Sequence, residues 1–389
     1  MTTRLKRVTK YCHVTGVLAC SVSLACCVGR DANGVLVSGR RTHAMLAAAR
    51  ANHVSMFGDF SDRSPTTFFS RTAVSLRRHT FVEVGADFDP DIDTTGKRLV
   101  FASTRHNILP DLYIKAVDGV AVTQLTSDPA ADIQPAFSPD GAHVAFASNR
   151  SGNWDIWVIG ADGGAPVQVT TGVAEQVHPS WSPDGTEVVF CSLPSNGGQW
   201  ELWIADALAG ASRRFVGYGL FPEWSPAGDT IVYQRARERG SRWFSIWTLT
   251  LVDGEPRYPT EVASDAKRAV IQPTWSSDGK RIAYASTVTV LPDSEGTSLP
   301  DTNAVFDVWA MNSDGRGKVR LTDGRTANYS PAFSPSGRVF FTSNRAGAEN
   351  VWSELPTSLS IGPSADDVLE RIETNSRQTV QTASQDDDL

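Results

Sequence analysis

The chain has 389 residues, 41% of them hydrophobic and 20% charged, which is enough apolar material to bury a large core. Length alone admits two or three domains, or a single large all-β domain. A formal net charge of -7 and a pI near 5.5 argue against nucleic acid as a general partner, because a phosphate-binding protein needs a surplus of Lys and Arg.

At the start, Arg4, Lys6, Arg7 and Lys10 precede the apolar, small-residue stretch "VTGVLACSVSLACC", Val14 to Cys27. It is too short and too rich in Cys and Ser for a membrane span, and residues 1–27 read as an export signal. A buried N-terminal helix is the alternative. "SLACC" resembles the lipobox of bacterial lipoproteins, in which a cysteine after small residues is lipidated and becomes the new N-terminus. Cys26 and Cys27 both fit, so the register stays open. The resemblance implies a periplasmic or cell-envelope location, with membrane attachment through an N-terminal lipid. No run of about 18 apolar residues occurs later, so no transmembrane helix is expected in the mature chain. Beyond Cys27 only Cys191 remains, which reads as a small buried hydrophobe.

Residues 28–65 form a leader in which "RRTHAMLAAARANH" suggests a short helix and "FGDFSDRSPTT" is turn-rich. From there to residue 360 the chain repeats. "IQPAFSPDGAHVAFAS" returns as "VHPSWSPDGTEVVFCS", "LFPEWSPAGDTIVYQR", "IQPTWSSDGKRIAYAS" and "YSPAFSPSGRVFFTSNR", with a degenerate copy, "FDPDIDTTGKRLVFASTR". The anchoring prolines, Pro90, Pro135, Pro179, Pro222, Pro273 and Pro331, lie 45, 44, 43, 51 and 58 residues apart. That period predicts an all-β fold, a six-bladed propeller with four-stranded blades. The last two intervals need longer loops, and Thr287 to Val305 reads as an insertion.

Each unit makes sense as a blade. The first strand is expected to begin near the proline, which sits at a strand start without wasting a ladder hydrogen bond. Ser-Pro-Asp-Gly then supplies a turn, the second strand is buried between neighbours, and the third carries an aromatic residue: Tyr113, Trp157, Trp203, Trp247, Trp309 and Trp352. The fourth, as in "PVQVTT", is weak. The last unit lacks one, and Thr72 to Arg77 is expected to supply it and so close the ring. Residues 361–389 suggest a short helix capped at Ser364, followed by an acidic disordered tail.

These motifs, P-x-[FW]-S-P-D-G, S-N-R and D-[IL]-[WY] followed by D-G, resemble the β-propeller repeat of TolB-like proteins over roughly 66–360. The resemblance implies an envelope protein that binds other macromolecules. TolB carries an α/β domain ahead of its propeller, for which residues 29–65 are too few. No hydrolase-sized region follows, which counts against a peptidase.

Ser138, Ser182, Ser225, Ser276 and Ser334 recur at one turn position, as do Asp140, Asp184 and Asp278, so these residues are read as geometry. No G-x-S-x-G elbow occurs. Arg105, Arg150 and Arg345 follow the second strand and are expected to brace loops, and Asp155 and Asp307 are read as structural too. Positions where the repeats differ carry more information about function. Beside the prolines stand Asp89, Asp91, Gln134, His178, Glu223 and Gln272, a candidate binding rim around the central channel. No catalytic residue, metal or cofactor is expected. The reading is a non-catalytic envelope propeller that binds a protein or glycan. The alternatives are a carbohydrate-active, polysaccharide-lyase-like propeller and a structural part of an envelope assembly.

Overall fold

A computed structural model describes residues 75–207, 212–236, 244–265, 268–288 and 306–356, with no helix among them. The export segment with Cys26 and Cys27, the leader, the insertion beyond Val288 and the helix and tail after residue 356 lie outside the described residues.

The described residues form six four-stranded antiparallel sheets. After β1 (Arg77–Arg78), blade 1 comprises β2 (Asp87–Ile92), β3 (Arg98–Ser103), β4 (Asp111–Ala116) and β5 (Val122–Gln124). Blade 2 holds β6 (Asp132–Phe137), β7 (His143–Ser148), β8 (Asp155–Gly160) and β9 (Val167–Gln168). Blade 3 holds β10 (Glu175–Trp181), β11 (Glu187–Leu193), β12 (Glu201–Asp206) and β13 (Arg213–Tyr218). Blade 4 follows with β14 (Leu220–Trp224), β15 (Thr230–Ala236), β16 (Phe244–Val252) and β17 (Glu255–Ala263). Blade 5 has β18 (Arg268–Trp275), β19 (Arg281–Val288), β20 (Phe306–Asn312) and β21 (Val319–Arg320). Blade 6 has β22 (Asn328–Phe333), β23 (Val339–Ala346) and β24 (Ala348–Glu354), with β1 as its outer strand. The innermost strands touch in sequence, and β22 returns to β2, which completes the ring.

Packing between blades explains the sequence pattern. In β7, Val144, Ala145, Phe146 and Ala147 are all wholly buried, large residues on one face and alanines on the other. Burying one Phe side chain contributes roughly 1.5–3 kcal/mol. Phe101, Phe146, Phe190, Tyr233, Tyr284 and Phe341 each pair in register with the aromatic residue of the third strand. The turn serines and aspartates behave as scaffold. Ser138 Oγ donates to Asp140 and accepts the His143 amide at 2.9 Å, and Ser182 and Ser276 repeat this with Asp184 and Asp278. Gly141 ends its turn at φ +68°, where a side chain would be strained.

The arginines after the second strand are clamps. Arg150 Nη2 donates to both carboxylate oxygens of Asp132 (2.9 and 2.8 Å) and its Nε to Ser148 Oγ (2.9 Å), with the guanidinium over Phe146 and Trp157. Arg105 repeats this with Asp87 and Ser103, and Arg345 with Asn328 and Ser343. Asp155 and Asp307 instead bond the outer strand, through Gln168 and Arg320.

Two expectations need adjustment. The first strand starts not at the proline but two to five residues ahead of it, and the proline sits inside it. The register with the second strand shifts there in every blade, for example between Ile133 and Ala136. A bulge tolerates proline because its missing N–H costs no ladder bond. Closure occurs as expected, but the paired residues are Arg77 with Ser353 and Arg78 with Trp352, at the end of the expected segment and one residue beyond it. Residues 72–74 lie outside the described residues. Beyond these pairs the incoming chain is held by the His79 amide on Val351 O (2.8 Å) and by Asn350, wholly buried, which accepts the Val82 amide at 2.8 Å and donates to Val82 O at 3.1 Å.

Candidate binding site in the central channel

The bulge determines what faces the channel. Asp89, Gln134, His178, Phe221, Gln272 and Ser330, each directly before an anchoring proline, all adopt left-handed backbone conformations with φ between +48° and +57°. Such a conformation costs a non-glycine residue about 1–3 kcal/mol and persists only where its surroundings enforce it. Here the proline and the neighbouring blade do so. The His178 amide donates to Gln134 Oε1 at 2.9 Å, the Gln272 amide to Gln234 Oε1 at 2.7 Å and the Ser330 amide to Gln272 Oε1 at 3.0 Å. Ser330 Oγ then donates to Asp89 Oδ1 at 2.8 Å, linking blade 6 to blade 1. At three junctions a side chain of one blade thus locks the backbone of the next, twice from the residue before the proline and once from Gln234 on the second strand.

These six residues and the six prolines, with Glu223, line a cavity of about 130 Å³ on the channel axis. Of the sequence-derived rim, Asp89, Gln134, His178, Glu223 and Gln272 come together there, whereas Asp91 does not line it. Asp91 Oδ2 instead accepts the Phe137 amide at 2.7 Å across the junction of blades 1 and 2. Ser180 plays the same part for the Trp224 amide, and Glu223 Oε1 for the Trp275 amide (2.9 Å) and Thr274 Oγ1 (3.1 Å). The residue after the proline is therefore a brace, and Glu223 is a brace that also reaches the cavity.

Burial shapes the electrostatics. Desolvation pushes the Asp89 carboxyl up to about 7, against the opposing hydrogen bond from Ser330. It raises Glu223 to about 8 and Asp91 to about 6, and lowers His178 to about 3. At neutral pH the cavity is poor in charge, with a neutral imidazole and a largely protonated Glu223. The His178 and Phe221 rings lie 3.6 Å apart between centroids. Among the described residues no group of three His, Cys, Asp or Glu side chains is placed to hold a metal ion. The other described histidines lie elsewhere: His79 bonds Ser353 at the ring closure, His106 bonds Tyr113, and His143 begins β7.

Sequence reading missed Asp87, Asp132 and Asn328, the clamp partners. Their signal was present: only units carrying Ser-x-Arg after the second strand have Asp or Asn three residues before the proline. Gln176, Gly219 and Val270 stand there otherwise.

Comparison with known proteins agrees with this architecture. The family model described as "TolB beta propeller domain" matches residues 52–247, half of the chain. The chain belongs to the TolB β-propeller family. Its propeller resembles the structure of a putative TolB from Agrobacterium tumefaciens, with a TM-score of 0.52 at 20% identity, covering 69% of this chain and 90% of that one. It equally resembles an oligogalacturonate lyase from Vibrio parahaemolyticus, with a TM-score of 0.51 at 14% identity, covering 75% and 97%. At these identities the likeness is one of fold. A curated relative, an uncharacterized protein of Agrobacterium fabrum, is 33% identical over 79 residues, which span 20% of this chain and 22% of its own length. Among the described residues no helix is long and apolar enough to cross a membrane.

Proposed function

We propose that this TolB-family propeller is a non-catalytic binding protein of the bacterial cell envelope, which engages a protein or glycan partner at the mouth of its central channel. One observation carries the reading. All six blades hold the residue before the proline in the same strained conformation, yet use Asp, Gln, His, Phe, Gln and Ser there. A position needed only for the scaffold would be expected to repeat its residue, as the turn serines do. Strained residues gathered at one cavity are also more common at sites of recognition. The turn serines, their aspartates and the arginine clamps are absorbed by the scaffold and leave no nucleophile–base pair among them. We further propose export directed by residues 1–27, with lipid attachment at Cys26 or Cys27, which mass analysis of the processed N-terminus would test.

The function is tested by immobilising the mature chain, exposing it to envelope extract and to an oligosaccharide panel, and identifying what is retained by mass spectrometry. Saturable retention of one partner, competed by free propeller, is the expected result. Turnover of an oligosaccharide with no retained partner would replace this reading with a carbohydrate-active one.

A further inference from the structure

Polar groups around the channel are not satisfied evenly. In blades 4–6, Phe221 brings no polar atom, and Gln272 uses both ends of its amide, Oε1 on the Ser330 amide and Nε2 on Ser330 Oγ at 3.3 Å. In blades 1–3, Asp89 Oδ2 has no partner at full hydrogen-bond geometry, with only the Gln134 amide and Ser330 facing its carboxyl. Gln134 Nε2 and both ring nitrogens of His178 have no partner within the protein. These three side chains are only 9%, 8% and 6% exposed, and all line the same cavity. Each such orphan costs about 1–3 kcal/mol, so three successive residues left so on one side of one cavity indicate a preformed ligand site.

The unpaired atoms define the ligand's chemistry. Gln134 Oε1 already accepts the His178 amide, which fixes the carboxamide orientation and leaves a donor. Asp89 Oδ1 is occupied by Ser330, which leaves Oδ2 as an acceptor. Neutral His178 adds one donor and one acceptor. The Phe221 ring, packed against that of His178, and the six proline rings add apolar surface. Donors and acceptors therefore balance, and the one carboxyl among them, Asp89, is only partly ionised at neutral pH. The volume suits about six heavy atoms, since an apolar cavity of about 150 Å³ takes benzene.

We propose that the channel cavity binds a small uncharged carboxamide, its oxygen toward Gln134 and His178, its amide hydrogens toward Asp89, and its carbon chain against Phe221 and the prolines. This rests on the channel being the binding face and names the chemistry it recognises. The group is carried either by a free small amide or by a glutamine side chain displayed on a partner.

The test is an NMR titration of the full chain labelled with [13C]histidine, with the His178 signal assigned by its loss in His178→Phe. That variant is expected to keep the fold, because Phe221 already occupies the same position and conformation in blade 4, and an unchanged urea midpoint checks it. Propionamide is the probe, butanone the acceptor-only analogue, and propionate and guanidinium the charged controls. An acetyl-Gly-Gln-Gly methyl ester, whose side chain carries its one primary carboxamide, tests for the displayed source. Saturable His178 shifts with propionamide or the tripeptide are expected, with butanone at least about tenfold weaker, roughly 1.4 kcal/mol. The His178→Phe variant, which has no His178 signal, is titrated with propionamide by calorimetry and is expected to bind at least about tenfold more weakly than the parent. Binding of the tripeptide alone assigns the source to a partner side chain. Absence of saturation with both amides, equal binding of butanone, or tighter binding of either ion would overturn the proposal. If partner retention by His178→Phe is unimpaired while amides fail to bind, only this inference falls and the binding role stands.

Discussion

Replacing Asp132 with Ala should be among the more damaging single changes in the propeller, and replacing it with Asn among the milder ones. Asp132 is wholly buried and takes both short hydrogen bonds from Arg150, whose side chain is only 12% exposed. The Ala variant leaves a guanidinium wedged between Phe146 and Trp157 with Ser148 Oγ as its remaining side-chain partner. Breaking a buried pair in this way costs about 3–5 kcal/mol. Asn keeps one oxygen at the same place, and blade 6 shows that this suffices: Arg345 Nη2 donates to Asn328 Oδ1 at 2.8 Å with the same serine and aromatic contacts. The expected cost of Asp132→Asn is therefore about 1–2 kcal/mol, the loss of one charge-assisted bond. Urea denaturation followed by tryptophan fluorescence, with unchanged m-values, measures both. Equal costs for the two variants, or a cost below about 1 kcal/mol for Ala, would refute the clamp as the source of the stability.

Glu223→Gln preserves the acceptor for the Trp275 amide and should flatten the pH dependence of stability. The folded chain holds a proton on Glu223 up to about pH 8 that the unfolded chain releases near 4.5, so this contribution is full below pH 4.5 and is lost as pH rises to 8. The variant should match the parent at pH 4.5 and exceed it by on the order of 2–4 kcal/mol at pH 8, read from urea midpoints at both values. Asn350→Ala removes the buried amide that ties Val82 to the last strand. It should cost about 2–3 kcal/mol and raise hydrogen exchange at residues 79–82 ahead of the rest of the ring. Gly315→Ala would drive its Cβ into the Val262 carbonyl oxygen at φ +83°, whereas Gly337→Ala, at φ +77°, meets nothing within 4 Å. Thermal denaturation should separate a loss of about 2–5 kcal/mol from one of about 1–2 kcal/mol. Cys191 is wholly buried, and burial pushes its thiol up, so it should resist a thiol reagent until the chain unfolds.

The blades were legible because proline spacing, turn residues and aromatic strands each recur with a simple period, and every blade must satisfy the same packing. Asp89, Gln134, His178, Glu223 and Gln272 were found at the channel by the opposite signal, variation at a fixed place in the unit. What could not be read was their backbone. Phe221 and His178 have no intrinsic preference for positive φ, and only the bulge and the neighbouring blade's acceptor impose it. Asp91 was misplaced because alternation along a regular strand puts it on the channel side, while the bulge turns it to the blade junction. Asn350 gave no signal at all. Its partners, Thr80 and Val82, lie some 270 residues away and belong to no repeat.

That separation has a consequence for how the molecule is made. The strand that finishes blade 6 leaves the ribosome before the six blades do, and its partner, β24, is the last strand among the described residues. Contacts so distant along the chain form late and slowly. Until then blade 6 lacks its outer strand and the Val82 latch is unpaired. Ring closure therefore acts as a check on completeness: five blades can assemble progressively, but only a chain translated through Glu354 can fasten them.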